Sequence, residues 1–506
     1  MEISAGWDWE KLKRENRVLR KNFDQARETI MRLLHEQKQL GHSLQEERAL
    51  REAFLDSFWY KMFERFGKKP EQAPAPGPYR EVIDEESRSH ADKLLRKEFN
   101  LSALDGLRFC IELLAREHEQ KNLPSAAEEE EAEEEAPQGL PPMHWFVPDV
   151  PLNTGTVLTP FRMVCYLGRR GFPCHIWICG PSHFTSEKEA QKAVDNHFIP
   201  MDAQVHFLEP SNLHKVKGGA VFATDRWTAY FANAIRNVKK KFYFIQDWES
   251  DFFPASSESM LTRATLDFPM IPITAGKWLA RKLKEHLGDK APAEIHSFPL
   301  AVNPNIYFPG PMDETKREKK RIAFYTRADS PRRCVELGLM GLELLALRRQ
   351  DFIVTLFGDV YSHEWQLGFP AEHKGILRGP DLAQLYRESD IGLTLAATNY
   401  SLLPLEMMSC ALPVVTLDAA ATRDTFPRDL VEMAKPTPAG IADSLEKLLN
   451  EPSLDARSEA GLSFASQFNW EESARTVAQA IAKEMGLKVT FPKAENPPGE
   501  DSPAKD

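Results

Sequence analysis

Two doubly wound α/β domains in succession, carried behind a helical extension, form the fold class that the sequence predicts, and three observations predict it. From Met143, short apolar runs ending at polar or glycine positions alternate with helix-like stretches, the pattern of parallel strands joined by helices. The alternation restarts after Pro311 and continues for about as long again. The first fifty residues instead carry a heptad, which belongs to neither series.

The heptad counts from Trp9. Its a positions are Trp9, Asn16, Phe23, Ile30, Gln37 and Leu44, and its d positions are Leu12, Leu19, Ala26, Leu33, Leu40 and Glu47. Leucine dominates d, and the polar Asn16 and Gln37 stand at a, where such residues fix register and strand number. A homo-oligomeric coiled coil is expected; the alternative is a single amphipathic helix packed on the body. Beyond Leu44 the segment FLDSFWYKMFERFGKKP repeats Phe54, Leu55, Phe58, Trp59, Met62, Phe63 and Phe66 at helical spacing, with Lys61, Arg65, Lys68 and Lys69 at its edges. Aromatics opposite basic residues suit the headgroup boundary of a membrane, and equally a helix docked on a neighbouring domain. The extension thus divides into 1–67 (coiled coil and amphipathic helix), a Pro-rich linker over 68–80, a helical segment over 81–121 and an acidic linker over 122–142, where seven glutamates fall between Glu128 and Glu135. The two domains are expected over 143–300 and 301–486, with a disordered tail over 487–506.

Composition excludes several classes. At 506 residues the chain exceeds one domain, and 42% hydrophobic residues suffice for substantial cores. A formal net charge of −11 argues against a nucleic-acid partner. The six cysteines lack paired metal spacing and read as reduced, mostly buried thiols of a cytoplasmic protein. No charged start followed by an apolar stretch marks a secretory signal, and no apolar run is long enough for a bilayer span. A peripheral place on the inner face of the cell membrane stays open.

In the first domain HWFVP, CHIWICG, AVFAT and KFYFIQDW are strand candidates; in the second, RIAFYTR, FIVTLFGD, KGILRG, IGLTLAA and LPVVTLD. Ligands of such sheets bind outside the carboxyl ends of the strands, here in the cleft between domains. Glu388–Asp418 is the most informative stretch. A strand runs into the polar turn Thr398-Asn399-Tyr400-Ser401, and a helix starts near Leu402 with Glu406 about one turn in. Ser401 is placed to cap that helix, the free N–H groups of Ser401, Leu402 and Leu403 suit a diphosphate, and Glu406 suits ribose hydroxyls.

This stretch resembles the donor-site signature of retaining glycosyltransferases of family 4, which have the GT-B fold of two facing Rossmann-like domains. That family separates two glutamates by seven intervening residues ahead of an A-M-A-C-G-x-P-V-V-type run. Glu406 matches the second, a ribose ligand; the first falls on Thr398, a departure at the contact to the donor sugar. SFPLAVNPNIYFP resembles the family's link between domains, with Asn303 and Phe308 matching. FYTRADSPRR supplies Arg327, Arg332 and Arg333, similar to the Arg-and-Lys pair that grips donor phosphates, and an arginine fork suits that task. Arg378 and Gly379 match the base-side loop. Phe468–Met485 is similar to the terminal helix that crosses back to the first domain. The resemblance spans 144–486.

Within the first domain, ATDRWTAYFANAI, KKFYFIQDWESDFFP and ITAGKWLARKL resemble rhamnosyltransferases of bacterial surface polysaccharides, which use dTDP-rhamnose and carry a Y-F-I-Q-D-Y-E-P block here. The resemblance implies a nucleotide-sugar donor and a glycan or lipid-linked glycan acceptor. Gln246, Asp247 and Glu249 end a strand and are expected to face the cleft, where a carboxylate orients an acceptor hydroxyl or accepts its proton; Asp247 alternatively caps the next helix. A histidine found at or beside Gln246 in many relatives is absent. Asn153, Thr154, Gly155 and Thr156 match the acceptor-side loop. The sequence offers no D-x-D motif and no metal-ligand spacing, so the arginines and the helix start take a cation's place, and no cofactor beyond the donor is expected. His144, His175, His183, His197 and His206 read as structural, and Cys410 as a packing residue. The expectation is therefore a retaining, metal-independent transferase with Asp247, Glu249 and Arg327 as catalytic candidates. The rival is a non-catalytic nucleotide-sugar or glycan scaffold that recruits partner enzymes through its coiled coil.

Overall fold

The computed structural model describes residues 139–150, 157–180, 182–198, 201–209, 212–310, 318–359 and 365–491. The expected coiled coil, the aromatic and basic segment, the Pro-rich linker, the helical segment 81–121, residues 122–138 of the acidic linker, the loop holding Asn153, Thr154, Gly155 and Thr156, and residues 492–506 of the expected tail lie outside the described residues. Residues 487–491 do not form a disordered tail, since Phe491 is buried and stacks on Phe172.

The first domain is built on a seven-stranded sheet: β1 (Met143–Val147), β2 (Cys174–Cys179), β3 (Ala203–Leu208), β4 (Ala220–Ala223), β5 (Lys240–Ile245), β6 (Ile271–Ala275) and β7 (His296–Phe298). Its order is β3-β2-β1-β4-β5-β6-β7, with every pairing parallel. The second holds β8 (Lys320–Tyr325), β9 (Phe352–Phe357), β10 (Ala371–His373), β11 (Ile391–Leu393), β12 (Val414–Leu417) and β13 (Val431–Ala434), in the order β10-β9-β8-β11-β12-β13, again all parallel. Each sheet reverses direction of growth beside its first strand, the arrangement that opens a crevice at the strand ends.

Register explains the core of the first domain. Trp145 pairs with Phe222, and Phe222 with Phe242, across β1, β4 and β5. Their rings stack at 4.2 and 4.9 Å between centroids, and Phe244 continues the stack to Phe298 at 4.9 Å. All are fully buried, so flat rings at matched positions fix how far the strands can slip.

Helix starts follow capping chemistry. Asp225 accepts from Thr228 N while the Thr228 hydroxyl pairs with the Asp225 backbone, a capping box that opens Arg226–Ala234 directly after β4. Asn469 caps the long helix Trp470–Met485. That helix packs on the first domain, where Ser473 donates to Pro299 O at 2.8 Å, Glu484 meets His296 at 2.8 Å and Arg170 meets Glu471 at 2.8 Å. The second domain thus ends by returning to the first.

Several expectations change. KGILRG is not a strand: β10 stops at His373, and Gly375 turns the chain with a φ of +63°. IGLTLAA pairs only over Ile391–Leu393. Five strands were not expected: β6 and the four sheet edges β3, β7, β10 and β13. The edge sequences AQVHFL and VEMA interleave polar residues, because one side of an edge strand faces water. Where the A-M-A-C-G run has glycine this chain has Ala411, and it adopts the left-handed φ of +59°. Among the described residues no helix is long and apolar enough to cross a membrane, and the five described cysteines form no disulfide.

Candidate functional site

The carboxyl ends of β5 and β6 meet those of β8 and β11, and four turns build the site. After β8, Thr326 N and Oγ1 both donate to Phe357 O, which anchors the turn to β9. Gly358 makes this close approach possible: its φ is +98°, and a Cβ there would lie 2.5 Å from the Tyr325 ring. Arg327 follows, with Nε on Asp329 Oδ1 at 3.0 Å. The chain then makes the short 3-10 turn Pro331–Arg333, passes Cys334 at a φ of +49°, and enters the helix Val335–Arg348.

Arg332 and Arg333 leave that turn in different environments. Arg332 reaches the first domain, donating from Nη1 to Asp247 Oδ2 at 2.8 Å and lying 4.2 Å from the Phe252 ring centroid. Arg333 is 8% exposed, and its Nε and Nη1 have no hydrogen-bond partner. Burial and then the neighbouring Arg332 charge pull its pKa down to about 10. Buried donors left unpaired are costly, so a guanidinium held this way is complementary to an anion that the chain itself does not supply.

The polar turn 398–401 lies against this arginine turn through Ala397 N on Arg332 O at 2.9 Å. Thr398 Oγ1, Asn399 Oδ1 and Ser401 Oγ are buried without partners. Ser401 does not cap the helix: the cap position is Leu402, no side chain serves it, and Pro404 stands in the first turn of a helix confined to Leu403–Ser409. Proline has no N–H to be capped and preorganises the start by itself.

Glu406 projects from that helix into a buried polar spot. Its carboxylate accepts the Tyr307 hydroxyl, with the Arg162 charge nearby, yet burial outweighs both and pushes its pKa up to about 7. The fully buried Tyr386 hydroxyl, close enough to feel the Glu406 charge, has no partner. Arg378 immediately precedes the helix Gly379–Arg387, and Gly379 opens it at a φ of +46°.

On the first-domain side, Gln246 Nε2 donates to Thr224 O at 3.3 Å. Asp247 is not the free carboxylate expected of a proton acceptor. Oδ2 takes Arg332, while Oδ1 takes Asn399 N at 2.9 Å and Trp248 N at 2.8 Å. Nor is Glu249 free: Oε2 accepts Arg226 N at 2.8 Å, and burial followed by the Asp225 charge holds its pKa well above the usual carboxylate range. The structure therefore brings Asp247, Arg332, Arg333, Thr398 and Ser401 together, with Glu406 one helical turn on. Sequence reasoning missed Asn399, Tyr307 and Arg162. Asn399 and Tyr307 lie inside segments singled out for their neighbours, and nothing in their residue types marks them. Asp149 was missed too; it follows β1 and accepts from Ser182 Oγ at 2.8 Å and His183 Nδ1 at 2.7 Å. Among the described residues no group of three or more His, Cys, Asp or Glu is arranged to hold a metal. His144, His175 and His206 instead bond and stack on one another and on Trp177.

Two parallel Rossmann-like sheets, with their strand ends facing and a terminal helix crossing back, define the GT-B architecture of glycosyltransferases. Residues 320–446 match the family profile described as WsaF, C-terminal domain. Over 221 residues the chain is 31% identical to the O-antigen biosynthesis protein RfbC of Myxococcus xanthus, a match covering 42% of this chain. It spans about a sixth of that relative's length, 17%. Among solved structures, Anabaena Alr3699/HepE in complex with UDP aligns over 68% of this chain and 100% of its own, with a TM-score of 0.54 and 15% identity. WaaG, described as a glycosyltransferase involved in lipopolysaccharide biosynthesis, aligns over 67% of this chain and 99% of its own, with a TM-score of 0.51 and 12% identity. At these identities the solved structures speak to the fold.

Proposed function

We propose that the chain is a glycosyltransferase of surface-polysaccharide assembly that takes a sugar from a nucleoside diphosphate donor. The observation that carries this reading is the buried guanidinium of Arg333, its Nε and Nη1 unpaired, beside Arg332 at the carboxyl end of β8, next to three unpartnered polar atoms of the 398–401 turn. The relative named for O-antigen biosynthesis supports the pathway class. Arg327, Arg332 and Arg333 stabilise charge growing on the departing diphosphate, and Ser401, Leu402 and Leu403 line the same turn. Glu406 holds the ribose, with Arg378 and Gly379 on the base side. The acceptor enters past Asn153, Thr154, Gly155, Gln246 and Glu249. In retaining transfer the sugar C1 bond to the phosphate oxygen breaks as the acceptor oxygen bonds C1 on the same face, and the acceptor's proton passes to the leaving phosphate. The guanidinium charges do the work of a metal. dTDP-rhamnose is the leading donor.

A panel of nucleotide sugars that includes dTDP-rhamnose and UDP-glucose tests this reading by thermal shift. A donor present near 100 times its dissociation constant adds about 2.7 kcal/mol of stability. A panel in which no nucleotide sugar raises the melting temperature contradicts it. The coiled-coil scaffold remains the second reading, favoured by the lack of a carboxylate at Thr398, and it shares the binding result without turnover.

A further inference from the structure

We propose that Asp247 is a positioning residue: with Asn399 it clamps the two domains together at the cleft floor and holds Arg332 ready for an anionic ligand. The proposal rests on the reading of the cleft as a diphosphate site only for the nature of that ligand; the clamp stands on geometry alone.

Four polar contacts of the clamp cross between domains. Asp247 follows β5 in the first domain, and two of its three hydrogen-bond donors come from the second: Arg332 Nη1 at 2.8 Å and Asn399 N at 2.9 Å. Asn399 returns the contact. Its Nδ2 donates to Gln246 O and to Ala275 O, both at 3.1 Å, so one amide spans the ends of β5 and β6. The cluster is sealed: Asn399 is 2% exposed, and the Asp247 and Arg332 side chains are 11% and 18% exposed. In so dry a place a hydrogen bond is stronger and a missing partner costs more. The Phe252 face packs the other side of the Arg332 guanidinium. Asp247 and Phe252 therefore leave Arg332 few orientations, and they fix it beside Arg333, whose Nε and Nη1 stay unpaired.

The same geometry argues against Asp247 as the group that removes a proton from an acceptor. Both oxygens are occupied, Oδ2 by the Arg332 guanidinium and Oδ1 by two backbone amides, and of these donors Arg332 and Asn399 belong to the other domain and cannot withdraw without parting the two. A positioning role predicts a specific pattern of loss. Removing the carboxylate releases Arg332 and weakens binding of a diphosphate, with or without a sugar attached. Removing a proton acceptor would leave diphosphate binding intact and stop turnover alone.

The test uses the full chain with Asp247→Asn and Asn399→Ala, and two readouts. Hydrogen exchange of the nucleotide-free protein reports the clamp, and calorimetric titration with dTDP, UDP and inorganic pyrophosphate reports positioning. We expect faster exchange over 245–249, 275–278 and 397–402 in both variants, unchanged protection of β1, β4 and β8, and at least a tenfold loss of affinity for whichever of the three ligands the unaltered protein binds. Asp247→Glu, which keeps the carboxylate, recovers part of that affinity. Unchanged exchange in both variants overturns the clamp. Faster exchange with undiminished affinity overturns the positioning role, as does a turnover defect without a binding defect. If pyrophosphate binds and the nucleotides do not, the positioning of Arg332 stands and the donor reading falls; if none of the three binds, both fall.

Discussion

Glu406 and Tyr307 share a hydrogen bond between a carboxylate of the second-domain helix Leu403–Ser409 and a hydroxyl of the link between domains. The bond favours the charged carboxylate, and burial disfavours it more strongly, so Glu406 ionises only near pH 7. A carboxyl whose folded pKa stands above its ordinary value of 4.5 binds a proton more tightly in the native than in the unfolded chain. Its contribution is therefore present at low pH and is lost as pH rises through about 7. Between about pH 5 and pH 8 the melting temperature of the free protein should fall relative to that of Glu406→Gln. Glu249 shifts in the same direction, whereas burial lowers the pKa of His144, His175 and His206, which add stability as pH rises, so Glu406 is read from the difference between the two proteins. Calorimetry of the same site should show Glu406→Ala losing about 1.5–3 kcal/mol of nucleotide affinity, the worth of a hydrogen bond to a charged group.

Arg333 should separate binding from stability. Its buried nitrogens lack partners in the free protein, so Arg333→Met removes a desolvated charge and leaves thermal stability equal or higher. The same substitution should weaken nucleoside diphosphate binding by at least tenfold. Loss of stability without loss of affinity would make Arg333 a structural residue.

Ala411 tests the backbone of the helix that carries Glu406. A non-glycine residue in the left-handed region costs about 1–2 kcal/mol, and Ala411 stands there at a φ of +59°. Ala411→Gly should leave chemical denaturation midpoints unchanged or raise them. Ala478→Gly, in the middle of the crossover helix Trp470–Met485, should lower stability by about 0.5–1 kcal/mol.

The extension carries its own prediction from heptad and aromatic spacing. Deleting residues 1–67 should give a folded monomer that no longer sediments with anionic liposomes, because pairing presents two weak membrane segments in one particle. A truncated protein that still dimerises and still binds liposomes contradicts this role.

What was legible in the sequence follows from where period and burial coincide. Strands buried on both faces, such as β1 with MHWFV and β5 with KKFYFI, read as apolar runs and were found. The edges β3 and β13, with polar residues and partly buried side chains between the apolar ones, were not, nor were β6 and the short β7 and β10. Arg327, Arg332, Arg333 and Glu406 were singled out by the family resemblance together with their places after strands. Their division of labour was not: nothing in SPRR says that Arg332 crosses to Asp247 while Arg333 stays unpaired. That difference comes from the docking of two domains, which brings together Asp247 and Arg332, 85 residues apart in sequence. Ser401 was assigned as a cap from its residue type, and Pro404 made the cap unnecessary.

The most direct test of the central claim is release of nucleoside diphosphate from a panel of nucleotide sugars by the full chain in excess EDTA, with dTDP-rhamnose first. Slow donor hydrolysis that persists under chelation, and that Arg333→Met abolishes, is the predicted result. A donor that binds tightly and is never turned over, or turnover that stops in EDTA and returns with Mg²⁺ or Mn²⁺, contradicts the account.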